Sequence, residues 1–248
     1  PRLEEFIVED ISITNRAASG TSGTGHVAGT AGCATALDNF VRSVIDRDRA
    51  SLTALSDAIW GFGELGLVEH QSATVLADYL SKNGFCVDMG VANMKTAFVA
   101  TWGTGAPVIG FLGEYDALPG VSNKPVPRID PVRAGGTGHG CGHNLLGVAA
   151  AAGAVALKEF AMANGLAGTV KYFGCPAEES SFGKTWMVKP RIFDGVDIAL
   201  TWHPGNVNGT DNTSSLADVV YKFSFYGKTA HAAADPYNGR SALDAVEL

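Results

Sequence analysis

Histidine, cysteine and histidine fall within five residues at His139-Gly140-Cys141-Gly142-His143, and each of these side chains can give a lone pair to a cation such as zinc. A single glycine separates Cys141 from His143, so an extended or turning backbone can bring both to one point in space. The apolar run from Leu145 to Leu157 behind them reads as a buried helix that would hold that point still. Such a cluster can also be a plain turn carrying packed or solvent-facing side chains, so its meaning depends on what the rest of the chain brings to it.

Two further stretches bring the same kind of chemistry. Cys175-Pro176-Ala177-Glu178-Glu179 ends a β-type run, Thr169 to Gly174, and Trp202-His203-Pro204 ends another, Val196 to Leu200. In α/β sheets active sites collect at the carboxyl ends of strands, which favours a dinuclear metal site over three unrelated turns. Cys141, His143, His203 and one glutamate are ligand types that zinc takes, and water held between two cations has its pKa lowered towards neutrality. Of two adjacent glutamates, one can coordinate while the other accepts a proton from that water and passes it to a leaving amine. Thiolate and imidazole favour Zn²⁺, although carboxylate-rich pairs also accept Mn²⁺.

Asp116 follows the short strand Val108 to Leu112 and can orient a ligating histidine through its distal N–H. Glu114 is a weaker ligand candidate and equally a turn residue before Pro119. His139 is a ligand, a supporting donor or an exposed side chain; spacing does not choose. His231 lies past a strand far along the chain, where a surface histidine is the default.

The elements that must position these groups follow from periodicity. Residues 16–36 are nearly all Gly, Ala, Ser and Thr, too poor in apolar bulk to offset the entropy of ordering, so residues 1–36 are expected to form a flexible arm. From Leu37, apolar residues at helical spacing predict one helix or two in series ending at Gly61 and Gly63, and Glu69 to Gly84 predicts another. Strands are expected at Cys86–Val91, Thr96–Trp102 and Val108–Leu112. A Pro- and Gly-rich loop, Pro125 to Gly138, leads into the central cluster, and a helix is expected at Lys184–Lys189. This alternation predicts an α/β fold, a central mixed sheet flanked by helices, over residues 37–215. After a polar linker the period becomes two from Val219 to Tyr226, predicting the first strand of a smaller α+β domain over 216–248, with a helix from Ser241.

The chain has 248 residues, 46% hydrophobic, and a formal net charge of −7, enough for a substantial core. No Lys/Arg cluster is placed to follow a phosphate backbone, so neither nucleic acid nor an anionic membrane is an expected partner. No apolar run free of Gly and charge reaches the roughly 18 residues of a membrane span. Four scattered cysteines do not resemble a disulfide framework, and a free thiolate fits a reducing, cytoplasmic setting. The Pro-Cys-x-x-Cys element of the zinc deaminases is absent.

Together, His139-Gly140-Cys141-Gly142-His143, Pro176-Ala177-Glu178-Glu179, Trp202-His203-Pro204, and Gly227-Lys228-Thr229-Ala230-His231 followed by Gly239-Arg240-Ser241-Ala242-Leu243 resemble the aminoacylase/carboxypeptidase metallopeptidase family. Gly113-Glu114-Tyr115-Asp116-Ala117-Leu118 and Gly142-His143-Asn144-Leu145 narrow the likeness to its amidohydrolase branch, and most of all to the p-aminobenzoyl-glutamate hydrolase group. Much of the branch has Asp where Asn144 stands, but that group shares the Asn. The resemblance implies a zinc-peptidase-like catalytic domain interrupted by a lid that also forms a homodimer, and cleavage of the amide of a small N-acyl or N-aroyl amino acid. It further implies two divalent ions, Zn or Mn, held by Cys141, His143, Glu179 and His203, with Glu178 as general base and Asp116 orienting a ligand. His231 matches the lid histidine that reaches a neighbouring protomer's substrate. The family continues through the rest of the lid to a returning segment with a further histidine, so this sequence is expected to match its N-terminal part. The competing reading is a fragment or degenerate paralogue that serves as an interaction or assembly module.

Overall fold

The strands that carry the candidate ligands are neighbours. A computed structural model, which describes residues 30–207, 209, 214 and 216–248, with side chains from residue 37 onward, joins five strands in one sheet. They are β1 (Cys86–Met89), β2 (Phe98–Thr104), β3 (Val108–Gly113), β4 (Gly168–Gly174) and β5 (Ile198–Leu200), in the order β1-β2-β4-β3-β5. β2 runs antiparallel to β1 and to β4, whereas β3 is parallel to both β4 and β5. The register sets Gly113 opposite Gly174 and Phe111 opposite Leu200. The three parallel strands therefore end close together on one edge, β5 two residues short of β3, where β2 begins with Phe98 opposite Gly174.

Two helices, α2 (His70–Lys82) and α3 (His143–Ala163), pack on the sheet, and α1 (Thr30–Phe62) packs against both of them. In α2 the spacing of Ala73, Leu76, Ala77 and Leu80 puts them on one buried stripe, and the helix stops at Asn83 before Gly84 at φ 83. Those side chains meet Ile59, Phe98, Val155 and Tyr172 in the main core; each large side chain buried there contributes about 1.5–3 kcal/mol. Along β4 successive side chains alternate between faces, so Tyr172 joins that core and Phe173 joins a second one with Ala97, Cys175 and Met187. Met187 comes from α5 (Gly183–Val188), which follows the short α4 (Glu178–Ser181). α3 is long and apolar enough to cross a membrane, but more than half of its residues are buried inside this fold. Gly147 lets it approach the β3 end, because a methyl there would come within 2.5 Å of the Glu114 carbonyl oxygen.

The expected layering of helices on a mixed sheet is observed, with shifted boundaries. α1 is one continuous helix, and β2 begins two residues later than its expected start at Thr96 because residues 94–97 turn back on themselves, the Ala97 N–H donating to the Met94 carbonyl. β5 begins at Ile198 rather than Val196, since Val196 packs into the second core instead of pairing. Residues 1–29 of the expected flexible arm lie outside the described residues, and the backbone of 30–36 is helical.

The chain divides into two units, the second being Gly205–Leu248. Here the expected strand Val219–Tyr226 is not formed among the described residues: the only pairing is a single bridge between Lys228 and Arg240. Alternation marks a ribbon with two faces, but a strand also needs a hydrogen-bonded partner, and Val219, Tyr221 and Phe223 stay exposed. The expected helix is present as α6 (Ala242–Glu247), capped by Ser241, whose Oγ accepts the Asp244 N–H at 3.0 Å.

Candidate metal centre

His143 is the first residue of α3, fixed there by the backbone of Gly142 at φ 84, a left-handed conformation that glycine adopts without strain. The sharp turn at Gly142 separates Cys141 from His143 in direction, yet Cys141, His143 and His203 bring one donor atom each to within 4.8 Å of one another. The next residue, Asn144, is buried and donates to Ser56 Oγ on α1 at 3.0 Å; an aspartate there would have to accept from that hydroxyl instead.

The end of β3 supplies Glu114 and Asp116, both buried. Asp116 Oδ1 lies 2.8 Å from His143 Nδ1, and its Oδ2 accepts the backbone N–H of Glu179 at 2.9 Å. A carboxylate accepts, so His143 carries a proton on Nδ1, which leaves Nε2, facing inward, as the atom that would bind a cation. His203 shows the same tautomer. Its Nδ1 lies 2.9 Å from the Pro204 carbonyl, an acceptor, and its Nε2 lies 3.1 Å from Cys141 Sγ. Two imidazoles thus turn Nε2 towards one region.

The end of β4 supplies the glutamates. Glu178 Oε2 is 3.9 Å and Glu179 Oε1 is 4.0 Å from His143 Nε2. Glu114, His143 and Glu178 form a second donor group of the same compactness, sharing His143 with the first. Glu179 is not in that group, but its carboxylate stands beside the Cys141 sulfur.

A cation's site would leave marks on the protein, and two are present. His143 Nε2 and Glu179 Oε1 are buried without a hydrogen bond, although Glu114 Oε2 lies 3.0 Å from Nε2 in an off-axis position. Native proteins seldom tolerate such orphaned groups. The second mark is charge. Burial, together with the carboxylates of Glu179, Glu178 and Glu114, pushes the Cys141 thiol up to about 12. Burial acts to lower His143, but the hydrogen bond to Asp116 and the nearby Asp116 and Glu114 carboxylates outweigh it and push the ring up to about 10. Burial, then Glu114, also raises Glu178. An excess of carboxylates around nitrogen and sulfur donors fits divalent cations, whose charge would reverse these shifts.

Of the remaining candidates, His139 turns away: its Nε2 donates to the Ile59 carbonyl at 3.1 Å, Nδ1 is buried without a partner, and burial lowers its pKa. His231 lies in the second unit, where its Nδ1 accepts backbone N–H groups of Ala233 and Ala234 at 3.2 and 3.0 Å. Residue types and spacing did not point to Lys184, whose ammonium pairs with Glu114 Oε1. Its signal is faint: a lysine after Gly183 at the start of a short helix looks like any exposed charge.

Residues 110–242 match the profile of peptidase family M20/M25/M40. Over 210 residues the chain is 48% identical to the B subunit of p-aminobenzoyl-glutamate hydrolase from Escherichia coli (strain K12), an alignment that takes in 84% of this chain and 44% of that protein. Xaa-Arg dipeptidase of Homo sapiens is 32% identical over 222 residues, covering 82% of this chain and 47% of that one. Among solved structures, the aminobenzoyl-glutamate utilization protein from Klebsiella pneumoniae shares the fold, with a TM-score of 0.57 at 24% identity over 85% of this chain and 57% of that one. The chain spans less than half the length of these two curated relatives.

Proposed function

Because the chain belongs to peptidase family M20/M25/M40, we propose that it is part of a metal-dependent amidohydrolase that cleaves small N-acyl or N-aroyl amino acids of the p-aminobenzoyl-glutamate type. The observation that carries this reading is the convergence of Cys141 Sγ with the imidazoles of His143 and His203, next to two glutamates. The substrate class is supported by the 48% identity to a protein named for that hydrolysis.

In this proposal Cys141, His143, Glu179 and His203 hold two divalent ions, Zn or Mn. When bound, the ions supply a polarised and more acidic water. Glu178, part-exposed and raised in pKa by burial and Glu114, is the proton acceptor and then donor to the leaving amine. Asp116 keeps the His143 ring in the tautomer that leaves Nε2 free. His231 is assigned to the substrate of a neighbouring protomer, in a homodimer formed through the domain that begins near residue 216. The Escherichia coli hydrolase is named in two kinds of chain, A and B, which makes a chain of the other kind the alternative partner. Cys86, Cys141 and Cys175 are free thiols, in keeping with a cytoplasmic setting.

The test is metal analysis of the full-length protein alongside p-aminobenzoyl-glutamate hydrolysis. About two tightly held ions per chain with turnover supports the enzyme; a protein with neither metal nor turnover is the interaction module.

A further inference from the structure

The turn from β4 into α4, which presents Glu178 and Glu179, passes through Ala177 at φ 55, ψ 40. A residue with a Cβ enters this left-handed region only at a cost, so something must hold it there. The Ala177 N–H donates to Glu69 Oε1 at 2.7 Å, and Glu69 Oε2 accepts from Thr96 Oγ1 at 2.9 Å. Thr96 is itself fixed, since its carbonyl accepts the Tyr115 hydroxyl at 2.5 Å. Glu69 is wholly buried, and a carboxylate is kept in such a place only where its hydrogen bonds are needed.

Glu69 stands at the N-cap of α2 yet does not cap it. Glu64 takes that task, accepting the N–H groups of Gln71 and Ser72 at 3.0 and 2.9 Å. The helix start is satisfied from elsewhere, and the Glu69 side chain is released to reach across to the strand end.

We propose that Glu69 is a positioning residue, whose carboxylate pins the Ala177 N–H and so fixes the left-handed turn that aims Glu178 and Glu179 at the metal centre. The proposal rests on the functional reading above for what those glutamates do. Glu69 belongs to neither donor group of the metal centre; it acts through the backbone of Ala177.

The experiment compares Glu69→Ala, Glu69→Gln and the double variant Glu69→Ala/Ala177→Gly in metal-loaded full-length protein. Glutamine keeps an acceptor for the Ala177 N–H while the Thr96 hydroxyl turns to accept, so kcat on p-aminobenzoyl-glutamate should stay within about threefold of wild type. Glu69→Ala should lower kcat about tenfold or more with KM little changed, and speed Ala177 amide exchange about tenfold. Glycine at 177 adopts the turn without a clamp and should restore most of the lost kcat. Equal losses in the Ala and Gln variants, no recovery with glycine, or unchanged Ala177 exchange in Glu69→Ala would overturn the proposal. Should Glu69→Ala fail to fold, Thr96→Val removes one anchor at constant volume: faster Ala177 exchange then supports the proposal and an unchanged rate overturns it. Wild-type protein without metal or turnover would defeat the functional reading alone, because Ala177 exchange still decides whether Glu69 holds the turn.

Discussion

Asp116 is bound to His143 and to Glu179 at once: one carboxylate oxygen lies 2.8 Å from the imidazole Nδ1, and the other accepts the Glu179 backbone N–H at 2.9 Å. Asparagine can accept from only one of these donors and would turn an amide N–H towards the other. Asp116→Asn should therefore weaken metal binding by about 10- to 100-fold, measured by competition with a chromogenic chelator. Unchanged affinity would remove Asp116 from its orienting role.

Glu178→Gln keeps the shape of the side chain but not its basicity. Hydrolysis of p-aminobenzoyl-glutamate should fall by about 10²-fold or more, while metal content measured by emission spectroscopy stays at the wild-type level. Loss of metal in this variant would make Glu178 a ligand instead.

Removal of metal should uncover a thiol. Mass-spectrometric counting after alkylation should find exposed Cys86 modified in every state and buried Cys175 in none, with Cys141 modified only after chelation. Because burial and the neighbouring carboxylates push Cys141 up to about 12, its labelling in metal-free protein should rise roughly tenfold per unit of pH through the alkaline range. Labelling of Cys141 at equal rates with and without metal would show that its sulfur is not a ligand.

Lys184→Met strands a buried carboxylate. Burial pushes Glu114 up, but His143 and Lys184 hold it below its ordinary value, so the pair stabilises the fold above the unfolded carboxylate's pKa of about 4.3. That contribution disappears as pH falls through the lower folded value. With the lysine side chain 31% exposed, its loss should cost about 1–3 kcal/mol near neutrality and shrink the difference between neutral and acid melting temperatures. Identical melting curves for variant and wild type across that range would sink the idea.

The clustering of candidate donors was partly legible, because Glu178, Glu179 and His203 follow strands that end on one edge of the sheet. Cys141 and His143 were marked by type and spacing, but they open α3 and reach that edge through the helix start. Lys184, Glu64 and Glu69 were not legible. Lys184 and Glu69 do their work across the fold, over separations of 70 and 108 residues, whereas Glu64 caps α2 from seven and eight residues away, outside the usual cap position; a glutamate at a helix start looks like an ordinary cap. The strand expected at Val219–Tyr226 failed on the opposite ground: alternation was present, but pairing is a property of two segments, and one cannot be inferred from the other.

The sheet also separates chemistry from tolerance. β2 hands over to β3, and α3 to β4, at the edge opposite the glutamates, through Gly105 and through Gly165 to Gly168, with Leu166 exposed. Fluorescent or affinity handles spliced in beside Leu166 should ride on the protein without disturbing its donors, whereas the edge bearing Asp116 and Ala177 has no slack to give.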